Sequence, residues 1–333
     1  MTNGLNQKVV VMTGASSGLG REAAIRFANK GCRVVVAARR QDSLEETAQM
    51  CRAAGGSAVA AVTDVTVEEE VARLAQTAME SFGTIDVWVN NAGVTLFAAL
   101  DAVPFEEHRR VIETNLYGSI FGARAVLPIF RRQRRGVLIN VGSVLSLIGQ
   151  PAVPSYVISK FALRGLSETL RTAVADEPDI HVCTLLPYAI DTPHFQAGGN
   201  DVGLQAHGMP PIQSPEDVAS ALVDLAEHPR RERLVPDIAA FGLALHWLMP
   251  ESTEQLILHA IRKWHFSDEP ENDRKGNLYD ATAEPGSVHG ERPPQISTIG
   301  FAAWAAREMI WIQASSVAGW VKDKLVPRNG ESR

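Results

Sequence analysis

The chain is predicted to fold as an α/β protein, a doubly wound parallel sheet with helices on both faces. Three observations predict it. Short apolar runs alternate with helical patterns over residues 8–236, the rhythm of a parallel sheet built from crossover units. A glycine-rich turn joins the first apolar run to the first helix. The polar residues capable of chemistry fall where the apolar runs end, and right-handed crossovers gather those ends on one edge of the sheet.

The first run, 8–12, reads Lys8-Val9-Val10-Val11-Met12 and is consistent with a buried parallel strand. Thr13-Gly14-Ala15-Ser16-Ser17-Gly18-Leu19-Gly20 follows, then a helix over 21–29 that Gly31 closes. Between a strand and a helix, such glycines let the backbone approach a pyrophosphate at the helix N-terminus. The second strand, 33–38, ends at Arg39-Arg40. A carboxylate there would hold the adenosine ribose 2′-hydroxyl, whereas guanidinium groups suit a 2′-phosphate. The expected cofactor is therefore NADP(H) in preference to NAD(H).

A helix over 42–53 and a third strand, 57–62, lead to Thr63-Asp64-Val65. Asp64 is placed either to accept from an adenine amino group or to cap the next helix, 67–81. Strand four, 85–89, runs into Asn90-Asn91-Ala92-Gly93. Its small residues would admit a cofactor and its Asn side chains would brace strand ends, though a plain turn fits equally well. Residues 104–132 form one long helical stretch with Asn115 inside it. Asn is mildly unfavourable there, and a local opening toward a water accounts for it. Strand five, 136–141, delivers Gly142-Ser143; strand six, 181–186, ends at Pro187. Ser214-Pro215-Glu216-Asp217 starts a further helix, with Ser as N-cap and Pro in the first turn. Residues 234–235 form a last strand.

The centre of the chemistry is Tyr156-Val157-Ile158-Ser159-Lys160. Tyr156 and Lys160 share one helix face, one turn apart. A lysine ammonium beside a phenol favours the phenolate and lowers its pKa from about 10. A phenol tuned in this way exchanges a proton with a hydroxyl or carbonyl near neutral pH. Ser143, thirteen residues before Tyr156, is placed to hydrogen-bond the same oxygen.

Composition narrows the function classes. Of 333 residues, 45% are hydrophobic and 21% charged, with a net charge of −6. That is an ordinary globular composition without a nucleic-acid footprint. The basic run 131–135 reads as the solvated end of a helix. Cys32, Cys51 and Cys183 have neither disulfide-framework nor metal-ligand spacing, so no metal is expected. The polar N-terminus lacks a secretory apolar region, and the reducing cytoplasm is the expected compartment.

Taken together, the chain resembles the short-chain dehydrogenase/reductase family. The matching residues are Thr13-Gly14-x-x-x-Gly18-x-Gly20, Asp64, Asn90-Asn91-Ala92-Gly93, Asn115, Ser143 and Tyr156-x-x-x-Lys160, over about two-thirds of the chain. The resemblance implies a Rossmann-type sheet, NAD(P) binding and hydride transfer at the nicotinamide between a secondary alcohol and a ketone. It makes Tyr156 the acid in reduction and the base in oxidation. Lys160 would lower the Tyr156 pKa and hold the nicotinamide ribose, Ser143 would polarise the carbonyl, and Asn115 would hold a relay water. Cofactor contacts would come from Thr13, Gly14, Ser16, Ser17, Gly18, Leu19 and Gly20 in the turn and from Asp64 and Val65. Asn91, Ala92 and Gly93, then Pro187, Ile190 and Thr192, would complete them, with Thr192 at the carboxamide. Family members are often homo-oligomers. This chain departs from the family at Tyr188, where a glycine is usual, and at Ser17, where many NADP-preferring members carry a basic residue.

The domain organisation follows. Residues 1–236 form the dinucleotide-binding and catalytic unit, with a substrate lid at 195–213. His194 and His207 flank that lid and read as surface loop residues. A helical extension, 237–266, is split at Pro250, and a polar linker, 267–295, reads as extended or disordered. An apolar helix, 296–326, is hydrophobic around most of its circumference, as buried or membrane-bound helices are. Subunit or domain packing, membrane-surface attachment and spanning are all open to it, although Arg307 and Glu308 oppose spanning. Rival readings of the whole are a cofactor-binding scaffold or sensor and a membrane-associated reductase of lipid-like carbonyls.

Overall fold

A computed structural model describes residues 4–237, 239–281, 286–290 and 297–325, with 316–325 as backbone. Seven strands form one sheet: β1 (Val9–Thr13), β2 (Arg33–Ala38), β3 (Ser57–Val62), β4 (Val87–Asn90), β5 (Gly136–Val141), β6 (Ile180–Pro187) and β7 (Glu232–Val235). Their spatial order is β7-β6-β5-β4-β1-β2-β3, and every pairing is parallel. The order reverses between β1 and β4, so a crevice opens there at the carboxyl ends.

Alternate side chains of each strand face opposite layers. Val10, Met12, Val34 and Val36 pack against α1 (Gly18–Asn29), α2 (Gln41–Ala53) and α7 (Pro215–Glu227). Val11, Val35 and Leu138 pack against α3 (Glu68–Phe82) and α5 (Gly118–Gln133). Both faces are therefore dry, which explains the unbroken apolar runs. Ser214 caps α7 as its sequence signals, accepting from the Asp217 N–H at 3.1 Å.

The long helical stretch is not uniform. Helix α4 (Phe105–Ile112) gives way to a π turn, Glu113–Tyr117, before α5. Asn115 sits in that turn and is 1% exposed. Its side chain accepts from the Val94 N–H (2.8 Å) and donates to the Val94 carbonyl (3.0 Å) and to Ser159 Oγ (3.0 Å). The local opening expected at Asn115 is thus present, and those bonds fill it.

A buried polar network extends from there. Trp88 Nε1 donates to Asn90 Oδ1 at 2.8 Å, and Asn90 Nδ2 donates to Asn140 Oδ1 at 2.8 Å. Asn140 Nδ2 reaches Ser167 Oγ, also at 2.8 Å, on α6 (Pro154–Ala173). Asn90 Nδ2 further donates to the Ser119 carbonyl, and Ser119 Oγ donates to the Asn115 carbonyl. Finally Ser159 Oγ donates to the carbonyl of Tyr156 at 2.7 Å. Strands β4 and β5 are thereby tied to the helix that carries Tyr156 and Lys160.

After β7 come α8 (Ala239–Leu248) and α9 (Pro250–Ala260). Pro250 opens α9 at its first position, where the missing N–H costs nothing. The described part of 267–290 is no free linker, contrary to the composition-based expectation. Strand Phe266–Pro270 pairs antiparallel with Leu204–Ala206, and Arg274 bridges Asn200. Polar residues there find partners on the core unit, a tertiary fact that composition does not carry. Helix α10 (Thr298–Leu325) packs on α9 by one face: Trp304 and Ile312 are buried, and Trp304 meets Trp264 at 4.3 Å. Ile299, Ile310 and Trp311 on it are exposed. The helix is therefore not buried all round. Among the described residues, no helix is long and apolar enough to cross a membrane.

Replacing Asn90 by Ala strands the Trp88 indole N–H and one side of Asn140 in the core. A loss of about 2–3 kcal/mol is expected, read as the midpoint shift in urea denaturation.

Candidate active site

One cavity of about 750 Å³ runs along the carboxyl edge of the sheet, from Arg39 and Arg40 at one end to Tyr156 and His265 at the other. At its floor the glycine turn is drawn tight. A Cβ on Gly20 would lie 2.1 Å from the Gly14 carbonyl oxygen, and one on Gly14 would lie 2.7 Å from Ala92 Cα. Gly14 and Gly18 have φ of +67° and +53°, which L side chains rarely adopt. Helix α1 begins at Gly18, so the N–H groups of its first turn meet this floor. Close backbone, a helix N-terminus and an elongated groove together fit a dinucleotide.

Most of the residues expected at the cofactor line this cavity: Gly14, Ser16, Ser17, Gly18, Leu19, Gly20, Arg39, Arg40, Asp64 and Val65. So do Asn91, Ala92, Gly93, Pro187, Ile190 and Thr192. Thr13 does not. Its hydroxyl donates to the Val89 carbonyl and accepts from the N–H groups of Asn91 and Ala92, so it braces β1 against the loop after β4. Asn91 Nδ2 adds a bond to the Thr13 carbonyl at 2.9 Å.

Asp64 does not cap α3. Its Oδ1 accepts from Thr66 N (2.9 Å) and Thr66 Oγ1 (2.7 Å), closing its own turn, and Oδ2 faces Arg110 Nη2 at 3.2 Å. Burial raises its pKa, but the Thr66 hydrogen bonds and the charges of Arg110 and Arg39 outweigh that and hold it below the usual carboxylate value. Arg39 is engaged from outside the core unit. Its Nη1 and Nη2 donate to the carbonyls of Tyr279 and Asn277, each at 2.7 Å.

At the other end stand Ser143, Tyr156 and Lys160. Ser143 begins a single turn after β5, and its Oγ accepts from the Leu145 N–H at 3.1 Å. Lys160 Nζ lies 5.4 Å from the centre of the Tyr156 ring and donates to the Val141 carbonyl at 2.8 Å. The lowered phenol expected from the sequence is not seen. Desolvation pushes Tyr156 up to about 12, against a hydrogen bond from Ser143 that pulls it down. Desolvation also brings Lys160 down to about 8. Burial dominates at both groups because removing water penalises both charged forms. At neutral pH the phenol therefore holds its proton. Asn115 lies behind the cavity wall and is spent on Val94 and Ser159.

Several wall residues were not expected at the site from the sequence. His194 is not a plain surface residue: its ring is 5.8 Å from that of Tyr156. Desolvation first, and the Lys160 charge second, bring it down to about 4. His265 is buried, with Nε2 3.2 Å from Gln150 Nε2 and its ring against Phe97 at 5.6 Å. Phe97, Phe195 and Met209 give this end an apolar side, and Gln150, Gln196 and Arg274 also line the cavity. Tyr188, the departure beside the cofactor, packs with Met209, Trp264 and Trp304 and donates to the Pro210 carbonyl at 3.2 Å. No local pattern announces these residues, because the chain after β7 folds back to meet them.

Fold and site together define a dehydrogenase that uses a nicotinamide dinucleotide. The family model "short chain dehydrogenase" matches residues 8–202, and the chain belongs to that family. It is 36% identical to an uncharacterized oxidoreductase, YxnA, of Bacillus subtilis over 281 residues, 83% of this chain and 79% of that one. It is 38% identical to 3beta-hydroxysteroid dehydrogenase 1 of Eggerthella lenta over 68% of this chain and 89% of that one. Among solved structures, a short-chain dehydrogenase/reductase of Burkholderia phymatum in complex with NAD superposes with TM-score 0.67 and 27% identity. It covers 74% of this chain and 95% of its own. An alcohol dehydrogenase of Thermococcus sibiricus complexed with 5-hydroxy-NADP gives TM-score 0.61 and 29% identity, over 69% of this chain and 96% of its own.

The Lys160 shift makes a stability prediction. Between pH of about 8 and the ordinary lysine value of 10.5, the folded chain binds fewer protons than the unfolded chain. Lys160 therefore makes stability rise with pH across that window, and below it the burial penalty is complete. Lys160→Met should remove this rise, read as the difference between the two proteins' unfolding free energies from pH 7 to 10.

Proposed function

We propose that this chain is an NADP(H)-dependent oxidoreductase that interconverts an apolar secondary alcohol and its ketone. One observation carries the reading. A single cavity joins the Ser143, Tyr156 and Lys160 cluster to the Arg39 and Arg40 pair, and β2 ends without a carboxylate. When bound, the cofactor supplies or accepts the hydride at its nicotinamide ring. Tyr156 gives its proton to the carbonyl oxygen in reduction and takes it back in oxidation. Ser143 Oγ holds the same oxygen and orients Tyr156. Lys160 orients the nicotinamide ribose and, when charged, steadies the phenolate left after proton transfer. Asn115 is a positioning residue that fixes α6 through Ser159. The apolar wall of Phe97, Phe195 and Met209 selects a hydrophobic substrate and excludes water.

Parallel fluorescence titrations with NADPH and NADH test the cofactor assignment. NADPH should bind about tenfold tighter or better, a difference of about 1.4 kcal/mol; tighter NADH binding would reject the Arg39/Arg40 argument. In the same series, Tyr156→Phe should keep NADPH affinity within a few-fold while turnover of a ketone panel falls by about 10²-fold or more. Retained turnover would remove Tyr156 from the proton step.

A second reading adds a location: work on lipid-like carbonyls at a membrane surface. Phe241, Trp247 and Leu248 on α8 are 73%, 83% and 68% exposed, and Ile299, Ile310 and Trp311 of α10 are exposed as well, apolar surface suited to a partner. Flotation of the intact protein with anionic liposomes is the expected result. Protein that stays at the bottom of the gradient as a dimer or larger would assign this surface to subunit contact instead.

A further inference from the structure

The described C-terminal extension crosses the cofactor half of the cavity as a strap. Gly18 donates its N–H to the Ser287 carbonyl at 2.7 Å. Arg21 Nη1 donates to the Gly286 carbonyl at 2.6 Å. Gly286 approaches the glycine turn so closely that a Cβ on it would lie 2.1 Å from the Ser16 carbonyl oxygen. His289 has Nδ1 3.4 Å from Asp191 Oδ2 and Nε2 2.9 Å from Glu216 Oε1. At the adenosine end, the carbonyls of Asn277 and Tyr279 hold Arg39, and the Leu278 carbonyl accepts from Arg110 Nε at 2.9 Å. The Leu278 side chain is fully buried, which anchors that end.

The strap walls the groove and does not fill it. Ala281, Ser287 and Gly290 line the same cavity as Gly14, Leu19 and Gly20. The Gly18 N–H is taken, yet Leu19 and Gly20 follow it in the first turn of α1, where N–H groups have no intrahelical partner. Among the described residues nothing takes them, and they are available to a phosphate. A dinucleotide in this groove would lie alongside a strap pinned to the nucleotide wall at both ends, at Arg39 and at the glycine turn itself.

We propose that residues 274–281 and 286–290 clasp the bound nicotinamide dinucleotide, so that the cofactor leaves only after the strap lifts. Several hydrogen bonds must break together for that, and release behind such a cover sets the turnover of many enzymes. The inference rests on dinucleotide binding, whichever of NADP(H) or NAD(H) is preferred.

The test is a stopped-flow chase of NADPH-loaded full-length protein with excess non-fluorescent NADP+, repeated with NADH and NAD+. Two variants leave Ser143, Tyr156 and Lys160 untouched. Gly286→Val introduces the clash with Ser16 and lifts the strap. His289→Ala removes both carboxylate contacts from a side chain that is 54% exposed, so it decides the matter should the first variant not fold. The dissociation rate should rise about tenfold or more in Gly286→Val and about threefold in His289→Ala, in the range that weakened binding contacts usually produce. Unchanged dissociation rates with the cofactor still bound overturn the clasp and leave the cofactor reading intact. Tighter binding in the variants also overturns it, since the strap would then compete with the cofactor. If the unaltered protein binds neither nucleotide, the cofactor reading itself fails and takes the clasp with it.

Discussion

The structure depends on one constraint: the amide and hydroxyl groups buried between β4, β5 and α6 must find partners without water. They do so in a chain from Trp88 through Asn90 and Asn140 to Ser167, and from Asn115 to Ser159 and the Tyr156 carbonyl. Leaving any of these groups unpaired in a dry core is costly. The network therefore admits one placement of α6 over the sheet. That placement sets the Tyr156 ring and Lys160 at the mouth of the crevice, next to Ser143 at the end of β5. The geometry of the Ser143, Tyr156 and Lys160 cluster is a consequence of core hydrogen bonding, and Asn115 serves it without lining the cavity.

Burial then decides the protonation of the site. An ammonium near a phenol lowers the phenol only if the pair keeps enough solvation for the charge to persist. Here the Lys160 ammonium is itself pulled down to about 8, and the phenol rises to about 12. The same desolvation lowers His194. The apolar aromatic wall that would select a hydrophobic substrate thus also biases the groups beside it toward their neutral forms.

The C-terminal extension changes the meaning of two residues. By position, Tyr188 is an obstacle beside the nicotinamide, yet it packs among Met209, Trp264 and Trp304 as an anchor for the extension. By position, Arg39 is a phosphate ligand, yet it already donates to two carbonyls of the strap. A guanidinium has five N–H donors in a fixed fork, so it joins the extension to the nucleotide wall while still lining the cavity. The core unit and the extension are therefore chemically coupled at this wall of the cavity.

Sequence alone determined the parallel sheet, the order of its strands along the chain, the glycine turn, and Ser143, Tyr156 and Lys160. These are local facts: apolar runs record two-sided burial, glycines record close backbone approach, and a four-residue spacing records one helix face. Tertiary structure decided the rest. Thr13 braces where it was expected to bind, Asp64 closes a turn, His194 and His265 line the site, and residues 274–290 lie across the cleft where described. Apart from the Asp64 turn, which Thr66 closes two positions on, these outcomes depend on which groups meet across long stretches of sequence or on how much water they lose, as the 240 positions between Arg39 and Tyr279 illustrate. Spacing and composition encode neither, because contact and desolvation are properties of the folded packing.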